Sequence, residues 1–183
     1  MKVIVLSASP NTDGLTAACA SAATEGLRRE GADAEEVRLT DAEVGMCEQC
    51  ENGWGTCLEE HRCQVEDGFQ ALHARVIAAD GLVLVTPVYW GEMSESAKAF
   101  TDRLRRCEAT RGDDSGLSGK LVLSVAAAGG SGGGMITCLA SMERWMQHVH
   151  ARTWDLIPVN RWSREYKLEA IREASAAMAR ELI

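Results

Sequence analysis

No stretch of this chain approaches the ~18 consecutive apolar residues of a membrane span, and the short apolar run near its start has neither the length nor the cleavage pattern of a secretory signal. A soluble, cytoplasmic protein with no membrane partner is expected. Basic side chains are in deficit, 19 Lys and Arg against 27 Asp and Glu, for a formal net charge of −8. Nucleic-acid binding needs a clustered basic surface that displaces counterions, so that class is excluded. Neither a Ser-His-Asp nor a Glu-x-x-His arrangement is present, which argues against hydrolysis. Also missing is G-x-G-x-x-G, the fingerprint of a dinucleotide pyrophosphate held by close backbone approach. Repeats and low-complexity tails are absent, and 183 residues at 46% apolar content suit one buried core, so a single domain over 1–183 is expected.

What is present begins with Lys2-Val3-Ile4-Val5-Leu6, a β-branched run that reads as a strand buried on both faces. It leads into Ser7-Ala8-Ser9-Pro10-Asn11, then a helix starting near Leu15-Thr16. Small donors on Ser7, Ser9, Asn11 and Thr16, beside the positive end and unpaired N–H groups of that helix, suit a phosphate. Further strands are expected at 34–39, 81–87, 120–127 and 153–158, alternating with segments whose apolar spacing is close to 3.6. Asp67 and Ser94 are expected to cap two of those helices, the first burying Leu72, Val76 and Ile77; a stripe from Met135 to Val149 marks another. This alternation implies a parallel sheet with helices on both faces, its ligand beyond the carboxyl ends of the strands.

Two more turns open at that edge. Thr86-Pro87-Val88-Tyr89-Trp90-Gly91 offers ring faces and a glycine for a planar heterocycle, and Ala128-Gly129-Gly130, continuing to Gly134, offers bare backbone N–H groups. These three turns, together with Lys98-Ala99-Phe100-Thr101-Asp102-Arg103, resemble the NADPH-dependent FMN reductase branch of the flavodoxin-like superfamily. The resemblance implies an α/β three-layer sandwich with a five-stranded parallel sheet in the order 2-1-3-4-5. It implies that Ser7, Ser9, Asn11, Leu15 and Thr16 surround an FMN phosphate, that Pro87, Val88, Tyr89, Trp90 and Gly91 line the ribityl chain and ring, and that Ala128, Gly129 and Gly130 close the other edge. NAD(P)H would then be the co-substrate, catalysis would be carried by the flavin with no catalytic side chain, and a homodimer or higher homo-oligomer would be expected.

Seven cysteines is an odd number, which argues against a simple disulfide framework. Cys19, Cys107 and Cys138 fall in helical patterns and are expected as small core residues. Cys47, Cys50, Cys57 and Cys63 cluster in a loop over 40–66, too long for a plain connection and expected at the flavin end of the sheet. The placement resembles the iron–sulfur flavoproteins of the same superfamily, although six residues separate the second and third cysteines here where two are typical. A [4Fe-4S] cluster, a zinc ion and unligated thiols all remain open on spacing, and His61 is expected to face solvent. Two functions follow. One is an FMN-dependent NAD(P)H oxidoreductase reducing a quinone, a flavin or a similar acceptor; the other is a flavin and iron–sulfur relay between protein partners. Trp54 or Trp90 would border the nicotinamide or acceptor.

Overall fold

The computed structural model describes residues 1–183. Its elements in chain order are β1 (Lys2–Ser7), α1 (Leu15–Arg29), β2 (Asp33–Arg38), two four-residue turns of helix, α2 (Cys50–Gly53) and α3 (Thr56–Glu59), α4 (Phe69–Ala78), β3 (Gly81–Tyr89), β4 (Glu92–Met93), α5 (Glu95–Glu108), a 3-10 turn η1 (Ala109–Asp114), β5 (Leu121–Ala128), α6 (Met135–His148), β6 (Arg152–Asn160) and α7 (Arg164–Glu181). The sheet runs β2-β1-β3-β5-β6, with every neighbouring pair on that path parallel. It holds six strands where five were expected. The sixth, β4, is a two-residue antiparallel return on β3, pairing Val88 with Met93 and Tyr89 with Glu92. A segment so short, closed by Trp90 and Gly91 in left-handed backbone, has no periodicity from which a strand can be read.

Alternate residues of the central strands divide the core in two. Val3, Val5, Val83, Val85, Leu123 and Val125 face α1 and α7, where Cys19, Leu27, Ile171 and Met178 cover them. Ile4, Leu6, Leu82, Leu84 and Val122 face α4, α5 and α6, meeting Phe69, Phe100, Leu104, Met142 and Met146. The stripe on α6 is therefore core: Leu139, Met142, Met146 and Val149 are buried. Ile77, expected inside, is only half-buried, and Phe69 and His73 are buried on α4 with Leu72 and Val76.

Helix starts follow local chemistry. The Ser94 hydroxyl caps α5 by accepting from Ala97 N–H, whereas the N-cap of α4 is Gly68, without a side-chain cap, and Asp67, expected there, stands one residue earlier and accepts from Phe69 N–H (2.9 Å). No helix is long and apolar enough to cross a membrane.

Candidate functional site

Three turns leave the same edge of the sheet, because β1, β3 and β5 are neighbours, and hydrogen bonds fasten them to one another. Ala8 N–H donates to Val85 O (2.9 Å). The hydroxyls of Ser94 and Ser96 both donate to Ala8 O (3.2 Å each), and Ser94 N–H donates to Thr86 Oγ1 (3.0 Å). Thr137 Oγ1 lies 2.9 Å from the carbonyl oxygens of Gly91 and Gly134, tying the β3 turn to the β5 turn. Gly134 has φ +80°, and a Cβ there would stand 2.8 Å from Gly91 Cα, so this approach admits only glycine. Ser96 and Thr137 escaped the sequence reading, since single hydroxyls carry no periodic signal.

At the β1 turn, Ser7, Ser9 and Thr16 are buried, Leu15 is half-buried and Asn11 is exposed, its N–H bonded to Ser9 Oγ (3.1 Å). Helix α1 follows Gly14 without a side-chain cap and without an acidic residue in its first turn. Its first N–H groups therefore have no intrahelical partner, and its positive end is unneutralised. Three buried hydroxyl residues thus stand at a helix start of the kind that suits an anion.

The other two turns enclose an open cleft with about 940 Å³ of empty space, counting its mouth, lined by Val88, Trp90, Gly91, Ser131, Gly133, Gly134 and Thr137. Trp90 is fully exposed at φ +53°, Tyr89 is exposed at 38%, and Pro87 and Val88 are half-buried. Ala128 is buried at the end of β5, whereas Gly129 and Gly130 stand in the open with nothing within 4 Å of an added Cβ. Trp162 lies against Gly132, a flank that the sequence reading did not foresee. The residues of the β1 turn do not line this cleft; the Ala8, Thr86 and Ser94 bonds are what hold them beside it.

The four loop cysteines come together. Cys47, Cys50, Cys57 and Cys63 line one small pocket, bordered by Arg103 and Arg106 of α5. No group of three Cys, His, Asp or Glu side chains is placed to hold a metal ion. Gln49 and Glu51, which flank Cys50, are both left-handed at φ +51° and +52°, as are Glu43 and His61. Non-glycine residues in this backbone region are strained and cluster at ligand clamps. His61 is outside the cavity lining and approaches Thr110 Oγ1 (3.4 Å). Trp54 sits under Arg106, with the guanidinium 4.8 Å from a ring centroid, and is not at the cleft where a nicotinamide neighbour was expected. The loop packs along the second half of α5; Arg103 is nine residues past the Ser94 cap, roughly 14 Å down the axis at about 1.5 Å per residue. Bonds from Arg103 to Gly45, Val65 and Asp67 hold it there.

Burial pushes the Asp67 carboxyl up, but the Arg103 guanidinium and the N–H groups of Phe69 and Gly45 outweigh it and hold it below the usual carboxylate range. Cys19, Cys107 and Cys138 are fully buried, and burial pushes each thiol up to about 12, which makes them inert core residues.

The family described as NADPH-dependent FMN reductase matches residues 1–156. The iron-sulfur flavoprotein of Methanosarcina thermophila is 28% identical over 153 residues, which cover 82% of this chain and 74% of that one. An iron-sulfur flavoprotein of Methanocaldococcus jannaschii is 34% identical over 105 residues, 57% of this chain and 52% of its own length, so the chain spans about half of that relative. Among solved structures, RosB with bound 8-demethyl-8-formylriboflavin-5'-phosphate superposes with a TM-score of 0.78 at 15% identity, over 100% of this chain and 80% of that one. At such identity the likeness speaks to the fold, which is flavodoxin-like.

Proposed function

The chain belongs to the NADPH-dependent FMN reductase family, and from that premise we propose that it is an FMN-dependent NAD(P)H oxidoreductase that passes electrons to a small acceptor such as a quinone or a flavin. Bound FMN would supply hydride acceptance at N5 and stepwise release of electrons. The observation that carries this reading is the set of buried hydroxyls at the uncapped start of α1, fastened beside an open, glycine-walled cleft. In it, Ser7, Ser9, Asn11 and Thr16, with the N–H groups at Leu15 and Thr16, hold the phosphate monoester. Pro87, Val88, Tyr89, Trp90 and Gly91 border the ribityl chain and one side of the ring. Ala128 closes the other edge, and the N–H groups of Gly129 and Gly130 stabilise negative charge on the pyrimidine side. These groups bind and orient; hydride transfer between two stacked rings needs no side-chain nucleophile or base.

Cys47, Cys50, Cys57 and Cys63 are proposed to hold a [4Fe-4S] cluster. The four thiols line one pocket, four thiolates are the usual ligand set of such a cluster, and the name of the Methanosarcina relative, an iron-sulfur flavoprotein, supports the reading.

Anaerobic mixing of the purified, FMN-loaded protein with NADPH or NADH tests the reading. The expected result is rapid bleaching of the yellow flavin absorbance, with iron and acid-labile sulfide in the same preparation. Bleaching by dithionite but by neither nicotinamide would overturn the reductase in favour of a relay between protein partners.

A further inference from the structure

Arg103 heads the largest fully buried side chains of the molecule, at 1% exposure. It sits on the core-facing side of α5 between Phe100 and Leu104, where an apolar side chain would satisfy packing, and burying a guanidinium there is expensive unless every bond is made. Nearly every one is. Nη1 donates to Gly45 O (3.0 Å) and to Asp67 Oδ2, while Nη2 donates to Asp67 Oδ1 (2.9 Å), Val65 O (3.1 Å) and Cys63 Sγ (3.3 Å). The guanidinium lies 4.4 Å from the Phe69 ring centroid, and only Nε is left without a partner. Asp67 balances the charge and the carbonyls hold the fork in place. The two N–H groups of Nη2 serve three acceptors, so the contact with the Cys63 sulfur is a shared, bifurcated one. Of the four cavity cysteines, Cys63 alone accepts a hydrogen bond from a side chain.

Resting on the reading that these thiols hold an iron–sulfur cluster, we propose that Arg103 is the positioning residue of that site: it fixes the Cys63 sulfur by a charge-assisted hydrogen bond and favours the reduced state of the group bound there. Hydrogen bonds to ligand sulfurs and net charge are two determinants of such potentials. A donor on the sulfur withdraws electron density from it and stabilises an added electron. That electron arrives singly, from reduced flavin or from a reductant such as dithionite; the thiolates take up no proton, so the site becomes one charge more negative. Arg106, on the next turn toward the C-terminus and stacked on Trp54, places a second cation at the cavity wall.

The test uses full-length protein reconstituted anaerobically with ferrous iron and sulfide. Arg103→Lys keeps the charge and reaches Asp67 but loses the second arm of the fork. The double variant Arg103→Met with Asp67→Asn removes the donor while leaving the pair neutral. Arg172→Gln, in an exposed ion pair with Glu25 and Glu169, is the control. Iron and sulfide content, far-UV circular dichroism and FMN binding are measured first, then the midpoint potential by dithionite titration followed by electron paramagnetic resonance. At the wild-type midpoint the reduced-to-oxidised ratio should fall at least tenfold in the double variant, which is 59 mV for a one-electron couple; it should fall by less in Arg103→Lys and stay unchanged in Arg172→Gln. Loss of iron from a variant that still folds and binds FMN also supports the assignment. Wild-type midpoints in both Arg103 variants would overturn the inference while leaving the cluster reading intact, whereas wild-type protein that takes up no iron would overturn both. Should neither variant fold, electron–nuclear double resonance of the reduced wild type in H2O and D2O decides: an exchangeable proton coupled through a ligand sulfur supports the bond, and its absence overturns it.

Discussion

Trp90 is the residue whose backbone and surroundings disagree most with its side chain. A tryptophan at φ +53° with its ring wholly in solvent has neither a comfortable conformation nor a packing partner, and such placement is tolerated where a ligand uses it. Trp90→Gly should therefore raise stability by about 1 kcal/mol, because glycine adopts this φ freely, and should weaken FMN binding by removing a ring face. Thermal unfolding with and without FMN checks both halves, and loss of stability in the apo protein would contradict the account. That Ser7, Ser9 and Thr16 gather at the end of β1 and the start of α1 was legible in the sequence, because a strand running straight into small hydroxyls and a helix leaves a plain pattern. Arg103 was not: its neighbours on the helix suggest an ordinary amphipathic surface, and only the folded loop brings Cys63 within 3.3 Å.

At the scale of elements, the turns after β3 and β5 act as one unit because Thr137 and the Gly91–Gly134 contact join them. Gly134→Ala would place a methyl against Gly91 at φ +80°; strain of about 1–3 kcal/mol is expected, with a looser cleft. Denaturant unfolding together with FMN fluorescence titration should show lost stability and weaker binding in the same variant, and unchanged values in both would contradict the joint. The parallel sheet and its helices were readable because buried strands and 3.6-spaced stripes leave unmistakable patterns. The two-residue β4 and the path of the cysteine loop were not. The first is too short to have a period, and the second is set by long-range bonds from α5 to loop carbonyls, such as Arg103 Nη1 to Gly45 O (3.0 Å).

Across the whole molecule, α5 works as a spacer. Its start is sewn to the β1 and β3 turns through Ser94, its middle borders the thiol cavity, and its last residue, Glu108, is fully buried in a network with His73 (2.7 Å), Ser115 (3.0 Å) and Gly116 N–H (2.7 Å). Burial pushes the Glu108 carboxyl up, yet His73, the Gly116 N–H and Ser115 outweigh it and hold it below the usual range. A carboxylate depressed in the native state adds stability above its unfolded value, about 4.3, and loses that stability as pH falls from there through the lower native value. Glu108→Gln should cost about 1–3 kcal/mol at neutral pH through the unsatisfied partners it leaves, and the variant should lose less further stability than wild type on acidification; urea unfolding at neutral pH and near pH 3.5 measures both. The central claim concerns the other end of the helix, where buried hydroxyls and the α1 N-terminus receive a phosphate. Parallel titration of apo protein with FMN and with riboflavin isolates that contribution, since the two ligands differ only in the monoester. At about 1.5–3 kcal/mol per hydrogen bond to a charged group, FMN should bind at least about 100-fold more tightly, and that advantage should shrink in the Ser9→Ala, Thr16→Ala double variant. Equal affinity for the two ligands, or an FMN advantage untouched by the double substitution, would contradict it.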